Sequence, residues 1–227
     1  YAYPDGTRAL GGVSFRITHG ESVAIIGSNG AGKSTLLQTM VAHLLPTGGI
    51  MNIGGYPVSA RTAQTVRRAV GLTFQNPDDQ LFMPTVFDDV AFGPLNQNLS
   101  EEEVRRRVDD ALETVGASHL KERPPYRLSG GEKRAVTIAS VLSMNPDILV
   151  MDEPSAGLDP HARRRLIALL KTFTHTKIVA THDLDMVVDL CSRTIILQKG
   201  QVLADGPTAD IMDDNALLES AGLEQPL

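Results

Sequence analysis

The chain is 227 residues long, with 42% hydrophobic, 21% charged and 4% aromatic residues and a formal net charge of -6. That length and composition suit one large or two small folded domains, and the acidic balance argues against nucleic acid as a partner, since general nucleic-acid binders are more often basic. No run approaches the roughly 20 consecutive apolar residues of a membrane span, so any work at a membrane is expected to pass through another protein.

The chain opens at Tyr1 without a methionine, which leads us to expect native residues ahead of it, and no signal-peptide pattern is present. Residues 1–17 read as extended and turn structure: Pro4-Asp5-Gly6 is a turn signal, and Val13, Phe15 and Ile17 alternate with polar neighbours. The apolar run Val23-Ala24-Ile25-Ile26 is a buried strand. It leads into Gly27-Ser28-Asn29-Gly30-Ala31-Gly32-Lys33-Ser34 and a helix expected to run from there through Thr35 to about Leu45. Pro46-Thr47-Gly48-Gly49 ends that helix, and further strands are expected near residues 50–53 and 70–74.

The middle changes character. Residues 75–99 are rich in Asp, Asn, Pro and Phe. Ser100 and Glu103 then form a capping box for a helix whose Val104, Val108, Ala111, Leu112 and Val115 share one face, and Gly116 supplies the stop. A second helix is expected from Ser129 to about Met144. The α/β pattern resumes with the strand Ile148-Leu149-Val150-Met151, a helix from Pro160 to about Phe173, the strand Ile178-Val179-Ala180 and a helix from Leu184 to Cys191. Cys191, the single cysteine, cannot form an internal disulfide, which fits a reducing compartment; among Val187, Val188 and Leu190 it reads as a small core residue. Strands near Thr194 and Gln201 flank Lys199-Gly200 as a hairpin, and a terminal helix is expected from Asp210 to Leu223. Strands alternating with helices predict a mainly parallel sheet covered on both faces.

The chemistry starts at the glycine-rich loop. Strand, glycine turn and helix in that order form a phosphate-binding loop, in which glycines let backbone N–H groups point at an anion and the helix start adds positive character. Lys33 would reach the β- and γ-phosphates, and Ser34 would hold magnesium. Asp152 and Glu153 end an apolar strand, where parallel strands converge on a ligand crevice. Asp152 is the expected second magnesium contact, and Glu153 the residue that polarises an attacking water. Ser129 with Glu132 reads on its own either as a capping box or as the rim of a second anion site with Gly130 and Gly131.

Taken in order, these residues resemble an ATP-binding-cassette ATPase: GSNGAGKS, Gln75 after a strand, LSGGE from Leu128, ILVMDEP from Ile148, SAGLD from Ser155 and THD from Thr181. The resemblance spans nearly the whole chain. It implies an α/β fold, a P-loop NTPase with a mainly parallel core sheet, an N-terminal antiparallel β subdomain and an inserted α-helical subdomain. The expected division is one cassette, 1–227, with residues 1–74 and 144–227 as core and 75–143 as helical subdomain. It also implies a head-to-tail pair of ATPase subunits, two copies or two related chains, with Ser129, Gly130 and Gly131 serving the partner's nucleotide. Gln75 would contact magnesium and the attacking water and relay nucleotide state; Asp159 would sit at the dimer seam. His182, which alone would read as a packed histidine, would touch the γ-phosphate and orient Glu153. Tyr3, ahead of Tyr1, would stack on adenine. Glu132 departs from the glutamine many members carry and brings a negative charge near the partner's nucleotide.

The segment Gln75-Asn76-Pro77-Asp78-Asp79-Gln80-Leu81-Phe82, with residues 85–94 and Arg123-Pro124-Pro125, is similar to the ATPase of energy-coupling-factor importers, particularly those for cobalt and nickel. This implies a peripheral protein on the cytoplasmic face of the membrane, a transmembrane coupling protein docking near residues 80–90, and a substrate-binding membrane subunit. A vitamin is the alternative cargo. A soluble cassette ATPase of DNA maintenance is the competing class, but the interval between Gly32 and Leu128 is too short for the coiled-coil arm such proteins insert.

Overall fold

The computed structural model describes residues 1–223. Apolar strands and capped helices follow one another along it. Strand β1 (Ser22–Ile26) feeds helix α1 (Lys33–Met40), followed by the short antiparallel pair β2 (Asn52–Ile53) and β3 (Tyr56–Pro57), helix α2 (Ala63–Ala69) and strand β4 (Val70–Thr73). Helices α3 (Val86–Asn96), α4 (Glu101–Thr114) and α5 (Gly130–Leu142) come next, then β5 (Ile148–Asp152), α6 (Pro160–Thr172), β6 (Thr176–Ala180), α7 (Leu184–Leu190), β7 (Arg193–Gln198), β8 (Gln201–Pro207), α8 (Thr208–Asp213) and α9 (Asn215–Ser220).

Two compact units share the chain. Among the described residues the first comprises Tyr1–Val70, Asp147–Glu153 and Thr174–Leu223; the second comprises Gly71–Pro146 and Pro154–Phe173. In the first, the strands lie in the order β5-β6-β1-β7-β8. Parallel pairing places Ala24 beside Val179 on one side and Thr194 on the other, and at the far edge of this sheet β7 and β8 form an antiparallel hairpin. Val23, Ala24, Ile25 and Ile26 are fully buried, as a strand covered on both faces requires. Cys191 is buried as well, and burial pushes its thiol up to about 11.

The second unit is helical. Val90, Val104, Val108, Leu112, Leu120, Leu128 and Val136 form its core, each such side chain contributing about 1.5–3 kcal/mol on burial. Its helices start where side chains satisfy their first amides: Thr85 accepts from the Asp88 N–H, Ser100 from Glu103 and Asp159 from Ala162.

The architecture is the expected α/β one, with a mainly parallel sheet, a separate antiparallel pair and helical segments. Four details differ. Residues 13–17 carry an alternating pattern but belong to no strand. Helix α1 stops at Met40, short of Leu45, because Ala42 turns to φ 52 and the His43 and Leu44 amides both return to the Gln38 carbonyl. The expected terminal helix is two, because Asp214 leaves the helical conformation and caps α9 through the Leu217 N–H at 2.9 Å. Helix α3 falls within residues 75–143, expected as a helical subdomain, in a stretch where the sequence delimits no individual helix.

Candidate active site

The glycine-rich loop joins β1 to α1 in the first unit. Two of its glycines are dictated by space and backbone. A Cβ on Gly27 would lie 2.2 Å from the Leu197 carbonyl oxygen, and one on Gly32 would lie 2.8 Å from the Ala9 carbonyl oxygen; their φ values are +152 and +104. Gly32 begins α1 without a side-chain cap, so the first-turn amides have no intrahelical acceptor and remain available to an anion. Ser28 is half-buried and Asn29, Gly30 and Ser34 are exposed, while Ala31, Lys33 and Thr35 are buried. The Lys33 ammonium donates to the Gly27 carbonyl at 2.6 Å and the Ser28 carbonyl at 3.3 Å. Its hydrogen-bond acceptors are neutral, which leaves a buried positive charge suited to an anionic ligand. The Tyr3 hydroxyl lies 3.0 Å from that of Thr35, and its ring meets Tyr1 edge-on at 5.0 Å.

The two acids behave differently although adjacent. Asp152 ends β5 and hydrogen-bonds the Ser34 hydroxyl; burial raises its carboxyl above the usual range, opposed by Ser34 and by the Lys33 charge. Glu153 adopts φ 45, a left-handed conformation that costs a non-glycine residue on the order of 1 kcal/mol. Its side chain, only 8% exposed, is gripped from β6 onward. Thr181 Oγ1 donates to Oε2 at 2.9 Å and the His182 backbone N–H to the same oxygen at 3.3 Å, while His182 Nδ1 lies 2.9 Å from Oε1. A carboxylate has roughly four acceptor positions, and these two bonds both fall on Oε2, so Oε1 keeps room for a water. The His182 side chain is 70% exposed, leaving the far edge of the ring open. Thr181, within the THD motif, was not singled out in the sequence; a hydroxyl at the end of a buried strand carries no signal of its partner.

Gln75 and Ser129, Gly130 and Gly131 lie in the second unit. Gln75 is exposed, and its carbonyl accepts from Arg134 at 2.7 Å. Ser129 caps α5 in a full capping box: its N–H and hydroxyl donate to Glu132 Oε2 at 2.7 and 2.8 Å, and its hydroxyl accepts from the Glu132 N–H at 3.4 Å. These bonds hold the Glu132 carboxyl below its usual range, the Ser129 amide contributing most. Of the two readings of the motif, the structure shows the capping box, in a corner where Ser129 and Gly130 are exposed. Asp159 directs its carboxylate to the His161 and Ala162 amides at 2.8 and 2.9 Å.

Residues 10–156 match the family model described as ABC transporter. A chain of Geobacter sulfurreducens, provisionally named an ABC transporter ATP-binding protein, is 63% identical over 227 residues, covering all of this chain and 91% of its own length. The chain belongs to the ABC transporter family. It is the ATP-binding, ATP-hydrolysing subunit of such a transporter. The energy-coupling factor transporter ATP-binding protein EcfA of Methanosphaera stadtmanae is 44% identical over 231 residues, with 100% and 83% of the two chains covered. The structure of cbiO1 from Clostridium perfringens, described as part of the ABC transporter complex cbiONQ, superposes with a TM-score of 0.86 at 40% identity, over 97% of this chain and 90% of that one.

The donor set of this ABC cassette fits magnesium. Ser34 and Asp152 offer hard oxygens, and among the described residues no group of three or more His, Cys, Asp and Glu gathers as a metal cage. An ion that takes most of its ligands from phosphate and water needs only one or two protein oxygens. Among the described residues no helix is long and apolar enough to cross a membrane.

Proposed function

We propose that this cassette drives an energy-coupling-factor importer for a transition metal ion, cobalt or nickel, from the cytoplasmic face of the membrane. The observation that carries the catalytic part is the way Thr181 and His182 surround Glu153. Thr181 and the His182 amide hold Oε2, with the His182 ring beside Oε1, and leave an acceptor direction for water, which is the arrangement a general base needs. Lys33 and the first-turn amides of α1 bind the β- and γ-phosphates of ATP. Ser34 and Asp152 hold magnesium with Gln75, and the ion neutralises phosphate charge when bound. Glu153 takes the proton of the attacking water, and His182 meets the γ-phosphate with the open edge of its ring. Loop residues 27–35 bind the nucleotide throughout, with Tyr3 against adenine.

One loop cannot surround a triphosphate with positive character. A second ATPase subunit, identical or related, supplies Ser129, Gly130 and Gly131 head to tail, so ATP favours the paired state and hydrolysis removes that preference. The importer reading is supported by the resemblance of residues 75–94 to energy-coupling-factor ATPases, by the EcfA name of a relative and by the cbiONQ membership of a structural neighbour. The second unit also displays apolar surface there. Phe82 is 62% exposed and meets the exposed Phe92 edge-on at 5.2 Å, with Leu95 exposed on the same helix. An uncovered aromatic pair of this kind suits a partner's helix.

Co-expression with the coupling and substrate-binding membrane subunits tests this. Wild type copurifies with them, Phe82→Asp does not, and vesicles carrying the complex accumulate cobalt or nickel on ATP addition. Uptake of a vitamin instead would replace the cargo; retention of Phe82→Asp in the complex would reject the docking surface.

A further inference from the structure

The second unit contains a buried cation that the catalytic scheme does not use. Arg134 is 2% exposed and stands on α5, one turn after the Ser129 corner. Its Nη1 donates to the Phe74 carbonyl at 2.8 Å and its Nη2 to the Gln75 carbonyl at 2.7 Å. Its Nε is buried without an acceptor among the described residues, and burial lowers the guanidinium pKa. A buried arginine is costly and is ordinarily matched to a carboxylate; here the planar fork grips two successive carbonyls.

That grip has a geometric meaning. In an extended strand, successive carbonyls point to opposite sides, so one fork reaches two only where the backbone turns. The turn falls just after β4, at the residues that place Gln75. A second contact fixes the same turn from the same helix: the Phe74 N–H donates to Gln80 Oε1 at 3.1 Å, and Gln80 Nε2 donates to the Thr137 carbonyl and to Ser140 Oγ, both at 2.9 Å. Packing does not do this work. A cavity of about 470 Å³ opens beside the turn, lined by Gln75, Asp78, Leu128, Arg134 and Gly157 among others.

We infer that Arg134 is a positioning residue for Gln75, clamping the turn that aims the glutamine to the helix that carries the Ser129 corner. The inference rests on the proposed role of Gln75 at the attacking water. Because α5 is a rigid element, a shift of its N-terminus on meeting the partner's nucleotide carries Arg134, and with it the Gln75 backbone.

The test is a double-mutant cycle on the full chain assembled in its transporter, using Gln75→Ala, Arg134→Met and the pair, with ATPase kcat and KM measured separately. Each single variant is expected to lower kcat about tenfold with KM for ATP little changed, and the pair to be no slower than Gln75→Ala alone. Hydrogen exchange at residues 74–76 is expected to rise in Arg134→Met while α4 keeps its protection. Arg134→Lys, which keeps a cation but not the fork, carries the same cycle if the methionine variant does not fold, with a loss of a few-fold that again vanishes on the Gln75→Ala background. Additive losses, or unchanged kcat in the Arg134 variants, overturn the inference while leaving Gln75 its role. Wild-type kcat in Gln75→Ala overturns both.

Discussion

The two helix starts offered to nucleotide are built in opposite ways. Helix α1 begins at Gly32 with no side-chain cap and a buried ammonium nearby whose hydrogen bonds go to neutral carbonyls. Helix α5 begins at Ser129 with its hydroxyl and amide already bonded to Glu132. The first leaves its first-turn amides without acceptors until an anion arrives. The second is complete by itself and carries a negative charge where the proposed partner's phosphate would come. On the proposed function the contrast gives them different tasks: α1 would hold nucleotide within one subunit, whereas α5 would exchange an internal contact for an external one, which makes its engagement conditional.

This division can be broken at either end. The largest effect belongs to Glu153, at the loop's side of the contrast. Glu153→Gln should slow ATP hydrolysis by roughly 10²–10⁴-fold while ATP still binds; phosphate release and nucleotide titration measure the two separately, and equal turnover would remove the base. Next comes Lys33→Ala. Losing a charge-assisted contact to phosphate, about 1.5–3 kcal/mol, should weaken ATP binding roughly 10–100-fold by calorimetry, with thermal stability little affected. A variant that binds normally would show that the buried charge is not waiting for phosphate.

The smallest effect tests the other helix. Glu132→Gln keeps a capping-box residue but removes the charge, so ATP-dependent pairing should tighten by about two- to fivefold, in line with a helix-end charge effect of about 0.3–1 kcal/mol; sedimentation against ATP concentration reads it. The same carboxylate gives a pH signature. Its folded pKa lies below its unfolded one, so its stabilisation is fully present above about 4.3 and is lost as pH falls through the lowered folded value. The gap in melting temperature between wild type and Glu132→Gln should therefore close below pH 4. A gap that persists there would mean that the charge does not stabilise the corner.

Legibility in the sequence followed the range of the forces involved. The run Val23-Ala24-Ile25-Ile26 and the Ser100 cap are local, and both elements stand where periodicity and capping put them. Helix α3 was hidden because it contains Gly93 and Pro94. Pro94 lacks the N–H that would bond the Val90 carbonyl, and the hydroxyl of Ser143, 53 residues on in sequence, donates to that carbonyl instead at 2.8 Å. No local pattern announces such a rescue. The catalytic candidates show the same split. Lys33, Asp152 and Glu153 declare themselves through loop and strand context, but the left-handed turn of Glu153, the hydroxyl of Thr181 behind it and the fork of Arg134 exist only once distant segments meet.

Cys191 has a practical consequence. A sulfhydryl that is buried and titrates near 11 stays protonated and shielded at neutral pH, and it has no second native thiol for company. The wild-type background is thus ready for spectroscopic tagging: a probe attached to a cysteine introduced at an exposed position would report alone. Paired spin labels could then follow, distance by distance, how one subunit meets another as nucleotide comes and goes.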